Sequence, residues 1–364
     1  MQPQVATSSL KRYVIWVERQ FSGAAILKLM QEAALKLGIE LVIITAPEQN
    51  MPDTRVLALP KLKQGMPTII EANRLIAKHG IDALWVRDSA VYADALAQLD
   101  CTVHAPATPG IFRLVDDKAK FDEWLGDDPT RAEATEVRGP RAVRREYRRR
   151  RKLGQEVCIK PVVGVNGLGY WHLTEEGVSL ILSDPERRRI HPKMYFEGLR
   201  QEESRRNKKR GLKRLMFWRK RNLKRLLMME WLPGPEVSID VLCWQGQPLV
   251  HAARTKLVEK DAQRITDDHP MAEHARRLAE RLGFHGIVSV QYRRDKDGNW
   301  KLLEINPRPA GGSIYAENTG FRVIELWTWL LLGVITPKEA AGMQFRGERT
   351  VEFIRVAQPD TSSS

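Results

Sequence analysis

Two hydrophobic periods alternate along the first third of the chain. Tyr13–Val17 is an unbroken apolar run of strand length, and Ala24–Leu37 repeats its apolar positions at helical spacing up to Gly38. Glu40–Thr45 reads as a second strand, and Pro67–Lys78 as a helix that opens on proline and stops before Gly80. Ala83–Val86, Val91–Leu99 and Cys101–His104 continue the series as strand, helix and strand. Strands that alternate with helices predict a parallel sheet covered on both faces. The loop after the first strand, Glu18 to Gly23, lacks the glycine spacing of a dinucleotide site. Arg87, Asp88 and Ser89 follow a strand at the edge where open sheets bind ligands, although ordinary loop polarity accounts for any one of them.

The pattern then changes. A Pro/Gly linker beginning near residue 106 leads into a helix up to residue 125, with Asp116-Asp117-Lys118-Ala119-Lys120-Phe121 at its start. Glu156–Ile159, Tyr170–Leu173 and Leu226–Trp231 are strand-like. Glu236–Trp244 and Pro248–Arg254 form a hairpin about Gln245-Gly246-Gln247, and Met271–Leu282 is a helix closed by Gly283. Ile287–Arg293 and Trp300–Asn306 are strands joined by Asp295-Lys296-Asp297-Gly298, whose glycine can take positive φ. Arg322–Leu332 is an apolar helix, and Thr336-Pro337-Lys338-Glu339 is a capping box for a short last one. The whole reads as α/β, with a length that suits two or three domains.

Composition narrows the function classes. The amino terminus has no apolar core of a signal peptide, and the longest apolar run, Leu326–Ile335, is too short to span a bilayer. Cys101, Cys158 and Cys243 are too few and too scattered for zinc or a disulfide framework, so a cytoplasmic location is expected. The net charge of +14 is concentrated in the middle. Residues 187–225 hold seventeen Lys/Arg against three Glu, and residues 141–152 hold eight against Glu146 alone, leaving the remainder mildly acidic.

Two stretches carry chemistry. In the hairpin, alternation puts Glu304 and Asn306 on one face, with Gln291 diagonal to Glu304 if the turn closes as expected. A carboxylate flanked by amide oxygens suits a hard cation, whose shell phosphate oxygens can complete. In Lys160-Pro161-Val162-Val163-Gly164-Val165-Asn166-Gly167-Leu168-Gly169, a lysine supplies a point charge, and glycine N–H groups can close over phosphate oxygens. It is not a P-loop, because Gly-Lys-Ser/Thr is missing.

Gln291 followed by Glu304-x-Asn306-Pro307-Arg308 resembles the metal-binding signature of ATP-grasp enzymes, in the form found in the carbamoyl phosphate synthetase large chain. The Lys160 loop resembles that family's lysine and mobile glycine-rich lid, and Glu230-Trp231-Leu232-Pro233-Gly234-Pro235-Glu236 resembles its nucleoside-holding hinge. The resemblance implies an amino-terminal open parallel, Rossmann-like sheet (1–108), a small lid subdomain (109–229) bearing the basic insertion 187–225, and a carboxyl-terminal α+β domain with the metal site (230–364). It implies ATP and Mg²⁺, or Mn²⁺ in its place, held by Gln291, Glu304 and Asn306. It implies nucleotide contacts from Lys118 (Lys120 is its rival), Lys160, Gly164, Gly167, Gly169, Glu230, the Trp231–Leu232 backbone and Glu236. Arg308, Arg254 and Lys160 would be catalytic, with Arg254 and its neighbour Lys256 placed by position only.

The implied reaction turns a carboxylate into an acyl phosphate that an amine then displaces, with small-molecule carboxylate and amine substrates. A bicarbonate-phosphorylating enzyme is the second reading. A polyanion-binding protein on an inactive ATP-grasp scaffold is the third, in which residues 187–225 recruit nucleic acid or another polyanion. A solvated lid face is the plainer account of that charge.

Overall fold

The computed structural model describes residues 10–17, 24–45, 56–58, 66–81, 83–86, 96–164, 169–176, 188–208, 224–257 and 262–352. In chain order the elements begin with Leu10–Val17 (β1), Ala24–Leu35 (α1), Ile39–Thr45 (β2), Val56–Ala58 (β3), Met66–His79 (α2), Ala83–Val86 (β4) and Thr102–His104 (β5). Next come Pro109–Asp116 (α3), Lys118–Leu125 (α4), Thr135–Arg138 (β6), Gly139–Lys152 (α5), Val157–Pro161 (β7), Trp171–Leu173 (β8), Arg189–Ile190 (β9) and Pro192–Lys208 (α6). Arg225–Glu230 (β10), Glu236–Trp244 (β11), Gln247–Leu257 (β12), Ala262–Thr266 (β13), Ala272–Arg281 (α7), Gly286–Arg294 (β14) and Trp300–Asn306 (β15) follow. The chain closes with Gly311–Glu317 (α8), Val323–Leu331 (α9), Pro337–Gly342 (α10) and Glu348–Glu352 (β16).

Three five- or six-stranded sheets result, in the orders β3-β2-β1-β4-β5, β6-β10-β7-β8-β9 and β15-β14-β11-β12-β13-β16. The first is parallel throughout, as the alternating pattern predicts. Its strand β3 has no counterpart in the sequence reading, because three residues are too few to show a period; β16 was missed because its residues are mostly exposed and charged. The chain divides into two compact units. One comprises Met1–Phe112, Pro235–Gln291 and Ile305–Ser364; the other comprises Arg113–Gly234 and Tyr292–Glu304.

In the first unit, α1 packs on α9 over a core that includes Trp16, Leu27, Met30, Phe321 and Trp327. Seven of the nine residues of α9 are buried, Glu325 among them, which explains its nearly continuous apolar sequence. The Trp329 indole N–H donates to Ala33 O at 3.0 Å. The β11–β12 turn is tight, with Gln245 and Gly246 both at positive φ, the two-residue geometry that matches strand twist. Thr336 and Glu339 make the expected capping box.

In the second unit, Val143 of α5 and Phe196 of α6 pack with Val157, Ile159, Leu226 and Met228 of the sheet. The helix expected to open at Asp116-Asp117 is α4, and the Pro/Gly linker before it holds a second helix, α3. Asp117 leaves helical geometry at φ −88°, ψ 89°, and its side chain accepts the Lys120 N–H, starting a new helix. Proline at the first position of α3 lets the Pro/Gly linker itself enter a helix. No described helix is long and apolar enough to cross a membrane.

Candidate functional site

The second unit gathers Lys118, Lys160 and Glu304 around one hollow, with Asp122, Met229 and Leu303 also lining it. Lys118 opens α4, and its backbone N–H donates to Val162 O at 3.1 Å. Its ammonium donates to Gly164 O at 3.0 Å and stands 3.8 Å from Glu304. Lys160 lies on β7 and donates to Leu303 O at 3.4 Å. Burial, and then the nearby Lys118 charge, push its pKa below the ordinary lysine range. Two lysines thus share a half-buried hollow with Glu304, while its other carboxylate, Asp122, is paired with Arg131 at 2.8 Å, a field that favours an incoming anion. Lys120, the rival of Lys118, is used through its backbone in the α4 cap.

An ion-pair lattice that sequence reasoning missed supports this cluster. Arg225, at the start of β10, binds Asp117 and Glu136 together, with Nη2 2.6 Å from Glu136 Oε2. It thereby ties the cap of α4, one residue before Lys118, to the sheet. Arg225 is the last residue of the basic insertion 187–225; paired with two carboxylates, it is not among the charges that insertion offers to a partner. An arginine opening an apolar strand, against a pair of aspartates opening a helix, is the only sequence signal of this contact.

Of the glycine-rich loop, Gly167 lies outside the described residues. Gly164 is engaged through its carbonyl. Gly169 has φ +78°, and a Cβ there would lie 2.9 Å from the Pro161 ring, so close packing alone demands glycine. In the hinge, the Trp231 N–H donates to Glu156 O at 2.8 Å, and Leu232 is buried beside Cys158 and Met229. Gln155 Nε2 reaches the Glu230 carboxylate at 3.5 Å. The Trp231 ring stacks on His172 with centroids 4.2 Å apart and planes 5° from parallel. Nε2 of His172 stands 3.1 Å from Glu156, off the line a hydrogen bond needs, and burial lowers its pKa. Gly234 is more than a turn residue: its N–H donates to Arg294 O, its carbonyl accepts from Arg293 Nε, and a Cβ would meet Arg294 Cβ at 2.5 Å.

In the first unit, Gln291 sits on β14, Asn306 ends β15, and Arg308 follows, with its Nη1 3.4 Å from Pro309 O. Glu236 opens β11 and pairs with Lys256 at 3.3 Å. Arg254 is buried. Its guanidinium grips Asp240 with two bonds of 2.6 and 2.9 Å, and Asp240 also accepts the Ser313 hydroxyl at 2.6 Å. Gln263 lies 3.4 Å from Arg254 and donates to Gly312 O at 2.7 Å. A Cβ on Gly312 would sit 2.1 Å from Arg254 Nη1. Gly312 therefore gives this buried pair room, and Arg254 holds the segment that follows Arg308.

The side chains of Gln291 and Asn306 end in amide oxygens and that of Glu304 in a carboxylate, oxygen groups of the kind that Mg²⁺ takes as ligands. Among the described residues no three His, Cys, Asp or Glu stand together as a metal-holding group. Burial raises the thiol pKa of Cys158 to about 11 and of Cys243 to about 12, which keeps both as thiols.

Comparison with known proteins extends these observations. A family profile described as "ATP-grasp in the biosynthetic pathway with Ter operon" matches residues 222–352. The carbamoyl phosphate synthase arginine-specific large chain of Geobacillus stearothermophilus is 32% identical over 123 residues, which is 30% of this chain and 12% of that protein. The fold is shared with an L-amino acid ligase from Bacillus licheniformis (TM-score 0.55, 15% identity, 89% of this chain and 75% of that one). It is shared too with a carboxyaminoimidazole ribonucleotide synthase from Aspergillus clavatus complexed with ATP (0.59, 14%, 93% and 81%). A biotin carboxylase from Campylobacter jejuni is similar at 0.59, 13% identity, 90% and 73%.

Proposed function

We propose that this protein, whose residues 222–352 match an ATP-grasp family profile, is a Mg²⁺- and ATP-dependent ligase that activates a carboxylate as an acyl phosphate and joins it to an amine. The observation that carries the reading is the half-buried Lys160 beside Lys118 and Glu304. Phosphoryl transfer between anions needs charge neutralisation and alignment more than a covalent residue. Lys118 and Lys160 would bind phosphate oxygens, and Gln291, Glu304 and Asn306 would hold Mg²⁺, which when bound adds positive charge at the transferring group. Because the Trp231 N–H already serves Glu156, Leu232 N–H would donate to the adenine edge and a hinge carbonyl accept from it, with Glu236 at the ribose. Arg308 would face the acyl group, and Arg254 would act through Asp240 as a positioning residue.

Incubation with ATP, Mg²⁺ and an amino-acid mixture, followed by mass spectrometry, tests the reading. An amide product formed mole for mole with ADP is expected; ADP without any condensed product would overturn it.

The match to a carbamoyl phosphate synthase chain supports a second reading, in which bicarbonate is the phosphorylated acid. ADP release that depends on bicarbonate and not on organic carboxylates would establish it. The oxygen donors at Gln291, Glu304 and Asn306 are all present, which speaks against an inactive scaffold.

A further inference from the structure

We propose that α5 carries a binding stripe for the phosphodiester backbone of double-stranded nucleic acid, made by Arg141, Arg145, Arg148 and Lys152. These four side chains are exposed and recur at intervals of four, three and four residues, so they lie on one helix face. Among the described residues none of the four has an ion-pair or hydrogen-bond partner. The other basic residues of the helix are committed. Arg149 and Arg150 take Glu146, the only acidic residue of α5. Arg151 bonds Gln155 O, and Arg144 lies over the Phe196 ring. Four uncompensated cations on one rigid helix exceed anything the fold requires.

The geometry selects the partner. From residue 141 to 152 the helix rises ~16 Å, with neighbouring side chains ~5–6 Å apart. One strand of a duplex places a phosphate every ~3.4 Å of axis, so the stripe faces about five phosphates. Three of the four groups are arginines, whose planar forks suit phosphate oxygens. A lipid surface would need an apolar face turned outward, yet Val143 is fully buried and Tyr147 packs edge-on against Phe196 at 5.5 Å. The inward Tyr147 also leaves this helix no aromatic platform for unpaired bases, which favours a duplex over a single strand. A disordered acidic polypeptide would lose chain entropy to align with a straight row of charges. The neighbouring α6 is a poorer surface: its exposed Arg200 is paired with Glu197, and Glu202 and Glu203 dilute it. This stripe is independent of the ligase reading and lies on different residues.

Fluorescence anisotropy of the full chain with 20-base-pair DNA and RNA duplexes, from 50 to 200 mM KCl, tests it. Wild type is compared with the Arg141→Gln, Arg145→Gln, Arg148→Gln, Lys152→Gln protein. The control carries Arg277→Gln, Arg281→Gln, Lys338→Gln and Arg349→Gln, exposed elsewhere and equal in charge removed. Four phosphate contacts on DNA contribute a slope of about −3.6 in log K against log salt, roughly a 150-fold loss across that range. The stripe variant should lose that component with unchanged circular dichroism, and the control should keep it. The tighter of the two duplexes names the preferred backbone. Absence of duplex binding at 50 mM, an unchanged slope in the stripe variant, an equal loss in the control, or tighter binding of polyglutamate or phosphatidylserine vesicles would each overturn the proposal.

Discussion

Glu317 should make the stability of the first unit fall with rising pH, in a window where most carboxylates are silent. Its two oxygens face inward and accept the N–H groups of Ile324 and Glu325, capping α9. Burial, with a smaller push from the neighbouring Glu325, raises its pKa to about 7 from 4.5, against the opposing pull of those N–H groups and Lys36. Glu325 is itself held by Lys36 and Arg322.

The sign follows from proton counting. Between pH 4.5 and about 7 the folded state binds more protons than the unfolded chain, so stability present below 4.5 is lost as pH rises through 7. A shift of this size corresponds to about 3 kcal/mol at most. Glu317→Gln removes the titration and replaces one accepting oxygen by an amide NH₂, costing ~1 kcal/mol. The variant should therefore be less stable than wild type at pH 5 by ~1 kcal/mol and more stable at pH 8 by ~2 kcal/mol. His285, whose pKa burial lowers to about 4, has the opposite trend: its stabilisation is present above 6.5 and lost as pH falls through 4. Taking the difference between variant and wild type cancels that contribution. Urea unfolding at pH 5, 6.5 and 8 measures it, and a difference that does not change sign across the three would refute the reasoning.

Two further expectations concern charged side chains set into the fold. Lys160→Ala should weaken MgATP binding tenfold or more in calorimetric titration while leaving the thermal midpoint within a few degrees; equal affinity would move the phosphate site elsewhere. Arg254→Met leaves the buried Asp240 carboxylate without its cation and should cost ~3–5 kcal/mol in urea unfolding; a cost under ~1 kcal/mol would show that Asp240 has another partner or is protonated.

Much of the fold was legible because period and punctuation agreed. Trp300–Asn306 ends where Pro307 removes a donor, and the turn before it closes at Gly298 with φ +84°. Gly283, at positive φ, follows the end of α7 for the same reason, whereas α1 stops at Leu35, before Gly38. Elements without a burial period, such as β16, left no trace. Within the site, Lys118 and Lys160 were identified by their place in a motif, and the structure brings them to one hollow. The roles of Arg225 and Arg254 were not legible. Each is defined by a carboxylate far away in sequence or on a partner strand, Asp117 and Glu136 for one and Asp240 for the other. A basic residue near an apparent phosphate motif reads the same whether it meets a ligand or a buried aspartate. Likewise, Gly169, Gly234 and Gly312 each accommodate a close contact within the fold that their sequence neighbours do not reveal.

The most direct test of the central claim is substrate-dependent ADP release by Glu304→Gln beside wild type, with folding checked by circular dichroism. The substitution keeps size and removes the one carboxylate of the proposed Mg²⁺ donor set, which also faces Lys118 at 3.8 Å. Loss of several kcal/mol of transition-state charge stabilisation should slow turnover ~100-fold or more. An unchanged rate in a folded Glu304→Gln protein would contradict the assignment of this hollow to ATP-dependent chemistry.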